Sequence, residues 1–184
     1  MQLQSKNKMN QIPFNWKEES GCVFYTKDEI VVFTDEMKSF LTLRASKHPK
    51  REARLCTHLN PDSTLHEMII VHSKGNYIPP HKHFNKVESF HLMEGELDII
   101  IFCDRGEIKQ VIHLSSEKDI YYRLQKSLYH TVVPLSEYVI YHEVTDGPFL
   151  VEEKHEAKWA PKKNDLKQVQ IYQKKLMEKI QNHS

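Results

Sequence analysis

Residues 75–95 read GNYIPPHKHFNKVESFHLMEG and place two histidines and a glutamate at spacings that suit a strand, a turn and a second strand. His81 and His83 are two residues apart, and residues at that spacing point to the same face of a strand. A short turn at 85–86 would return the chain, so that Glu88 projects to the same side. Two imidazoles and a carboxylate converging from a rigid sheet suit a borderline divalent ion, so this stretch predicts a metal site.

His130 supplies a fourth candidate ligand, at the end of the later segment Tyr121–His130. His91 has the opposite strand parity to Glu88, so we expect it to point away from the site. We interpret the other histidines of the β-rich region as structural or solvated: His66, His72, His113 and His142.

Tyr77 shares the parity of His81, and Phe90 and Leu92 share that of Glu88. These three side chains would line a pocket around the ion, although plain barrel packing explains them nearly as well. A reaction that moves a proton needs an acid or base near the metal, and Tyr77 is the best candidate for that catalytic role.

Around this stretch, from about residue 65 to 149, short apolar or alternating runs recur, with turn signals between them. Four of the five glycines are at these turns. The pattern predicts an all-β, single-domain fold with flanking helices, an antiparallel barrel or jelly roll. The expected strands of this region are Met68–Val71, Val87–Met93, Leu97–Phe102, Lys109–Leu114, Ile120–Leu124 and Tyr138–Val144.

The segments outside the β-rich region carry other patterns. Ile30–Phe33 is a β-type run, and a helix capped by Thr34 or Asp35 is predicted for 35–46. A second, amphipathic helix is predicted from about Asn164 to the end of the chain, with one apolar face. That face consists of Leu166, Val169, Leu176 and Ile180. We therefore expect frayed residues at 1–13, the barrel domain with its N-terminal extension at 14–161 and the C-terminal helix at 162–184.

Composition narrows the classes of partner. The chain has 184 residues, 26 basic and 25 acidic, and nucleic-acid or membrane-surface partners demand a basic excess that is lacking. Three cysteines without a CxxC pair argue against a disulfide framework, and the N-terminal MQLQSKNKMN has no apolar signal region. The longest apolar run, Ile99–Cys103, is too short to span a bilayer. We expect a cytoplasmic protein with no nucleic-acid or membrane partner.

The spacing Gly-x5-His-x-His-x4-Glu-x6-Gly over residues 75–95 resembles the first motif of the cupin superfamily at every fixed position. Tyr129-His130-Thr131 is similar to the histidine of the second cupin motif, although Gln125 and Ser127 replace the proline and glycine expected upstream. The resemblance implies a cupin-type barrel with His81, His83, Glu88 and His130 as ligands of one divalent ion, such as Zn, Fe, Mn or Ni.

A closer resemblance extends from about Arg44 onward, to the WbuC family of cupin fold metalloproteins. The segments that carry it are Arg51-x-x-Arg54 with His58, Tyr77–His83, Tyr129–Val132, Glu143–Phe149 and Trp159-Ala160-Pro161. It implies a metal-binding cupin linked to the assembly of bacterial surface polysaccharide (O-antigen or capsule). It also implies that Arg51, Arg54 or His58 binds an anionic substrate group, whereas paired arginines alone would indicate a solvated face.

The sequence is compatible with three functions. The first is a metal-dependent enzyme, such as an isomerase or epimerase, that acts on a small carbohydrate or sugar nucleotide. The second is an iron-dependent dioxygenase, and the third is a non-enzymatic sensor or binding protein, because a fold does not determine a function. In each case the partner is a small molecule, and we expect a homodimer.

Overall fold

Within residues 12–125, 127–148, 150 and 154–183, which the computed structural model describes, twelve strands form two sheets that face each other. The expectation for residues 1–13 therefore falls almost wholly outside the described residues. The seven-stranded sheet has the order β1 (Trp16–Ser20), β2 (Val23–Thr26), β3 (Glu52–Cys56), β4 (Leu65–Ser73), β11 (Tyr138–Asp146), β6 (Glu88–Glu94) and β9 (Tyr121–Leu124).

The five-stranded sheet has the order β12 (Lys154–Glu156), β5 (His81–His83), β10 (Tyr129–Pro134), β7 (Glu96–Phe102) and β8 (Ile108–Ser115). Neighbouring strands pair antiparallel in both sheets, except that β2 and β3 run parallel. The predicted β-barrel or jelly-roll class is confirmed.

Alternation along the strands divides each sheet into an inner and an outer face. In β6, Glu88, Phe90 and Leu92 are buried inside, while His91 is exposed on the outer face, as its parity predicts. The interior between the sheets holds one apolar cluster, which includes Phe90, Leu97 and Tyr141. This interior also holds the polar groups of the candidate site.

Helix α1 (Asp35–Lys47) covers the outer face of the seven-stranded sheet. Thr34 caps it, since its side-chain oxygen accepts a hydrogen bond from the Met37 N–H at 3.3 Å. Leu41 and Ala45 are fully buried and pack on that face. The predicted helix and its cap are confirmed to within a residue.

Helix α2 (Leu166–Gln181) covers the outer face of the five-stranded sheet, where Leu176 and Ile180 pack on Ile100 and Phe102. Val169 is buried as well. The expectation that Leu166 shares this face is wrong: its side chain is 70% exposed, because it lies in the first turn beyond the edge of the packed surface. Among the described residues, no helix is both long and apolar enough to cross a bilayer.

One local prediction of extended structure is wrong. Ile30–Phe33 pairs with no strand among the described residues, although the run is apolar. The expected strand Ile120–Leu124 is confirmed as β9, and the chain then passes from the seven-stranded to the five-stranded sheet between Leu124 and Tyr129. His130 therefore lies near the start of its own strand, β10.

Candidate metal centre

Strand register brings three histidines together inside the barrel. His130 of β10 is the direct partner of His81 of β5, and cross-strand partners hold their side chains on the same face. The His81 and His130 ring centroids are 4.5 Å apart, and His83 lies 5.0 Å from His81 and 5.9 Å from His130. One ring nitrogen from each of the three lies within 4.8 Å of the others. The three imidazoles therefore surround one point.

Backbone carbonyls fix which nitrogen faces that point in two of the rings. His81 Nδ1 lies 3.0 Å from the Pro79 carbonyl oxygen, and His130 Nδ1 lies 2.9 Å from that of Leu128. A carbonyl can only accept, so each Nδ1 carries the hydrogen and each Nε2 carries the lone pair in the neutral ring. This is how proteins commonly orient metal-binding imidazoles.

Glu88 approaches the histidines from the opposite sheet. It is only 5% exposed, and its Oε1 lies 3.0 Å from His130 Nε2, while Oε2 lies 3.8 Å from His83 Nε2. The sequence places Glu88 on the next strand, but that strand, β6, belongs to the seven-stranded sheet. The cluster therefore bridges the two sheets across the interior.

Burial and a neighbouring charge act in opposite directions on His130. Burial disfavours the imidazolium, but the Glu88 carboxylate attracts and hydrogen-bonds it, and the net result is a pKa of His130 above its usual value. Without an ion, the Glu88 carboxylate therefore favours the protonated form of His130. A divalent ion must displace that proton, so metal uptake should release it.

The donor set fits one divalent ion. Tetrahedral ligands at about 2.1 Å from a common ion lie about 3.4 Å from one another, so nitrogens within 4.8 Å of one another have to approach by at most about 1.4 Å. Imidazoles with a carboxylate suit zinc, iron, manganese or nickel. The donors are also held on strands rather than on loops, which limits how far they can relax.

The cluster lies in the wall of a cavity of about 660 Å³, within the range of small-molecule sites. The other sheet contributes polar groups opposite the histidines, and several of them were not identified from the sequence. They are Glu52, Arg54, His58, His66, His72, Tyr141, Glu143 and Thr145. Strand parity could have found part of this set, because His66, Met68, Ile70 and His72 alternate along one face of β4.

Arg54 and His58 line this cavity, and Arg51 does not. Arg51 is exposed, adopts a positive φ of 53° and donates to the Lys74 carbonyl oxygen at 3.1 Å. His58 stacks on His66 with ring centroids 4.1 Å apart, and burial lowers the pKa of both imidazoles. Of the three residues expected to bind an anionic group, the structure thus brings two to the cavity.

The structure does not bring Tyr77 into this cavity. Its hydroxyl donates to the Pro161 carbonyl oxygen at 2.8 Å, and its ring contacts Tyr172 of α2. It lines a separate, mostly apolar cavity of about 310 Å³ between α2 and the five-stranded sheet. The parity argument fails because Pro79 and Pro80 separate Tyr77 from β5, so no continuous strand carries the alternation across.

Comparisons with known proteins give a fold and no established activity. A family model described as a domain of unknown function, DUF6016, matches residues 33–114, which is less than half of the chain. No curated protein matches the sequence.

Solved structures of similar fold include CapF in complex with the inhibitor 3-isopropenyl-tropolone, with a TM-score of 0.50 and 15% identity over 66% of this chain and 39% of that one. The Schizosaccharomyces pombe Cnp3 cupin domain has a TM-score of 0.42 and 10% identity, over 52% of this chain and 64% of that one. The dTDP-4-dehydrorhamnose 3,5-epimerase of Elizabethkingia anophelis has a TM-score of 0.42 and 17% identity, over 49% of this chain and 54% of that one. The match spans less than two thirds of each relative. Its two facing sheets, together with the match to CapF, show a cupin-like jelly-roll fold, in which three clustered histidines are placed to hold one metal ion.

Proposed function

We propose that the protein is a metal-dependent cupin of the WbuC type. It holds one divalent ion on His81, His83, Glu88 and His130, and it binds or converts a small carbohydrate or sugar nucleotide used in surface polysaccharide assembly. The observation that carries the proposal is the meeting of three imidazoles and a buried carboxylate in the wall of one cavity. Buried charged groups are rarely kept without such a purpose.

An ion bound at this site would act as a Lewis acid on a ligand oxygen. Residues of this chain orient the ligands and offset the charge of the ion. The carbonyls of Pro79 and Leu128 hold the His81 and His130 rings in one tautomer. Glu88 brings one negative charge, which offsets part of the charge of a divalent ion in a low-dielectric interior.

Arg54 supports an anionic ligand. It lines the cavity, and among the described residues no hydrogen bond or ion pair engages its guanidinium. Its positive charge contributes to lowering the pKa of His58, His66 and His72, after the larger effect of burial. A guanidinium with open donors is suited to bind phosphate or carboxylate through two hydrogen bonds.

Metal analysis tests the first part of the proposal. Protein purified without a polyhistidine tag should carry about one transition-metal ion per chain by inductively coupled plasma mass spectrometry. A chain that retains no such ion, even after incubation with Zn²⁺, Fe²⁺, Mn²⁺ and Ni²⁺, would contradict it. Bound iron together with O₂ uptake would instead favour the dioxygenase hypothesis.

Calorimetry with UDP-glucose and dTDP-glucose as probes tests the ligand. Replacing Arg54 with Gln should weaken binding at least about tenfold, since hydrogen bonds to charged groups contribute about 1.5–3 kcal/mol. Arg51→Gln is the matched control, because Arg51 is exposed outside the cavity, and should leave the affinity unchanged. Equal affinities for the two variants would reject Arg54 as the anion-binding residue.

A further inference from the structure

A row of polar side chains crosses the inner face of the seven-stranded sheet, opposite the three histidines. Glu52 of β3 is the direct register partner of His72 of β4, and Tyr141 lies on the next strand, β11. Apolar side chains such as Met68 and Ile70 lie between these groups and the other polar side chains of this face. Because burying polar groups is costly, this row needs a reason beyond packing.

His72 and Tyr141 form a buried pair. The Tyr141 hydroxyl lies 3.4 Å from His72 Nδ1, and the two side chains are only 2% and 5% exposed. Among the described residues, this is the one hydrogen bond that either side chain makes. A phenol has a second bonding direction at its oxygen, and the Tyr141 side chain lines the cavity.

Both members of the pair are neutral at ordinary pH. Burial lowers the pKa of His72 to about 4, although Glu52 acts in the opposite sense. Burial also raises the pKa of Tyr141 well above its usual value. The Tyr141 hydroxyl therefore keeps its hydrogen. It can donate to Nδ1, or it can accept from Nδ1–H in the other tautomer and donate its own hydrogen into the cavity.

The pair faces the proposed metal ligands. Phe90 packs against Tyr141 with ring centroids 4.9 Å apart, and Phe90 lies on the same face of β6 as Glu88. Burial, then the Glu143 charge and then the Glu88 charge raise the pKa of Tyr141. Tyr141 and the histidines line the same cavity, so a ligand at the histidines that extends through it would reach Tyr141 on the opposite sheet.

We propose that the Tyr141 hydroxyl, oriented by His72, donates a hydrogen bond to an anionic oxygen of a ligand that chelates the proposed ion through two adjacent oxygens. Hydroxy acids, keto acids and enediol forms of sugars belong to this chemical class. Tyr141 is then a ligand-binding residue and His72 a positioning residue. This inference rests on the metal site proposed above.

Acetohydroxamate, a bidentate oxygen chelator, is the probe, and Co²⁺-loaded protein reports its binding through the visible absorption of the metal. Tyr141→Phe should bind cobalt normally but bind acetohydroxamate about tenfold more weakly. Tyr172→Phe is the matched control, because Tyr172 is a partly buried tyrosine on α2 that does not line the cavity. It should change neither the cobalt content nor the affinity.

A double-mutant cycle tests the role of His72. His72→Leu should weaken acetohydroxamate binding when Tyr141 is present, and it should add no further loss in the Tyr141→Phe background. His72→Gln, which can still hydrogen-bond the phenol, should restore part of the affinity. A purely structural role would give no such coupling.

The outcomes separate the two proposals. Wild-type protein that takes up no cobalt overturns the metal site, and this inference with it. Wild-type protein that takes up cobalt while Tyr141→Phe binds acetohydroxamate as tightly as wild type overturns only the role of Tyr141. Circular dichroism monitors the folding of each variant. If Tyr141→Phe does not fold, the acetohydroxamate affinities of His72→Gln and His72→Leu are compared instead, and equal affinities would overturn the role of the pair.

Discussion

At the residue scale, one strand register decides where the histidine cluster forms. His130 pairs with His81, so both imidazoles project to the same side of the five-stranded sheet. A slip of one residue would turn His130 to the outer face, against α2. The interior position of the cluster therefore depends on the pairing of β10 with β7, which extends over Tyr129–Pro134 and fixes that register.

His83 and His91 form a matched pair of substitutions for the metal site. His83→Ala removes a proposed ligand and should weaken metal binding at least about 100-fold, more than the usual loss of a residue that only orients a ligand. His91→Ala, on the exposed outer face of β6, should leave metal content unchanged. Metal analysis of both variants measures this. Loss of metal in the His91 variant alone would show that the site is elsewhere.

Gly106 allows the Trp159 ring to pack directly against the backbone. It has a φ of +88°, and a Cβ there would lie 2.7 Å from the Trp159 ring. Gly106→Ala should therefore lower the free energy of unfolding by about 1–3 kcal/mol, through backbone strain and overpacking. Gly21→Ala is the control, since its nearest neighbour would be at an ordinary 3.6 Å. Urea unfolding of both variants gives the comparison, and equal stabilities would contradict this account.

At the element scale, the attachment of α2 depends on its C-terminal half. Leu176 is buried against Ile100 and Phe102, so Leu176→Ala should cost about 2–5 kcal/mol of stability. Leu166 is 70% exposed, and Leu166→Ala should change stability by less than about 0.5 kcal/mol. Thermal unfolding measures both. Similar losses would mean that the whole apolar stripe is buried, as the sequence pattern suggests.

Elements with regular periodicity could be predicted from the sequence, and irregular ones could not. The long strands β4, β6, β7 and β8 follow apolar or alternating runs between glycine turns, and helix α1 follows its Thr34 cap. The three-residue strand β12 carries no periodic signal, because its place is decided by pairing with β5. The same limit applies to Tyr77, where two prolines interrupt the alternation, and to the change of sheet before Tyr129.

The site could be predicted as far as local spacing extends. His81, His83 and Glu88 lie within one short stretch, so parity alone indicates that they converge. Arg54, His72 and Tyr141 reach the cavity through the pairing of β3, β4 and β11, which are far apart in the sequence. Strand parity groups His66 with His72, but it does not show that their face is opposite the histidines, because that depends on tertiary pairing.

At the scale of the whole molecule, stability should fall in mild acid. The folded state lowers the pKa of His72 to about 4, so between pH 6.5 and 4 the unfolded chain binds more protons than the folded one. Stability therefore rises with pH in this window, and His72 alone accounts for about 3 kcal/mol between its two ends. Urea titrations of metal-free protein should show a smaller pH dependence for His72→Gln, and an unchanged one for the exposed His91→Gln. If the free energy of unfolding changes equally with pH in wild type and His72→Gln, the prediction is contradicted.

Homodimer formation stays a prediction. The apolar stripe of α2 and the N-terminal strands are largely covered within the chain. Ile30 and Val32 remain 84% and 65% exposed on a segment that pairs with no strand among the described residues. Light scattering at micromolar concentration should return the dimer mass for wild type and a lower mass for the Ile30→Asp, Val32→Asp double variant. The monomer mass for wild type would reject the dimer.

The strand that carries His81 and His83 has a consequence for the order of events during synthesis. This strand, β5, is three residues long, and its two neighbours are β10 and β12, which the ribosome makes much later. Until residues 129–134 and 154–156 have emerged, nothing holds β5 in an extended conformation. The proposed ligands His81, His83 and Glu88 are therefore exposed early but disordered, and the pocket closes only after β10 and β12 have emerged and paired with β5. Metal should be acquired only by a chain in which these later strands have already folded.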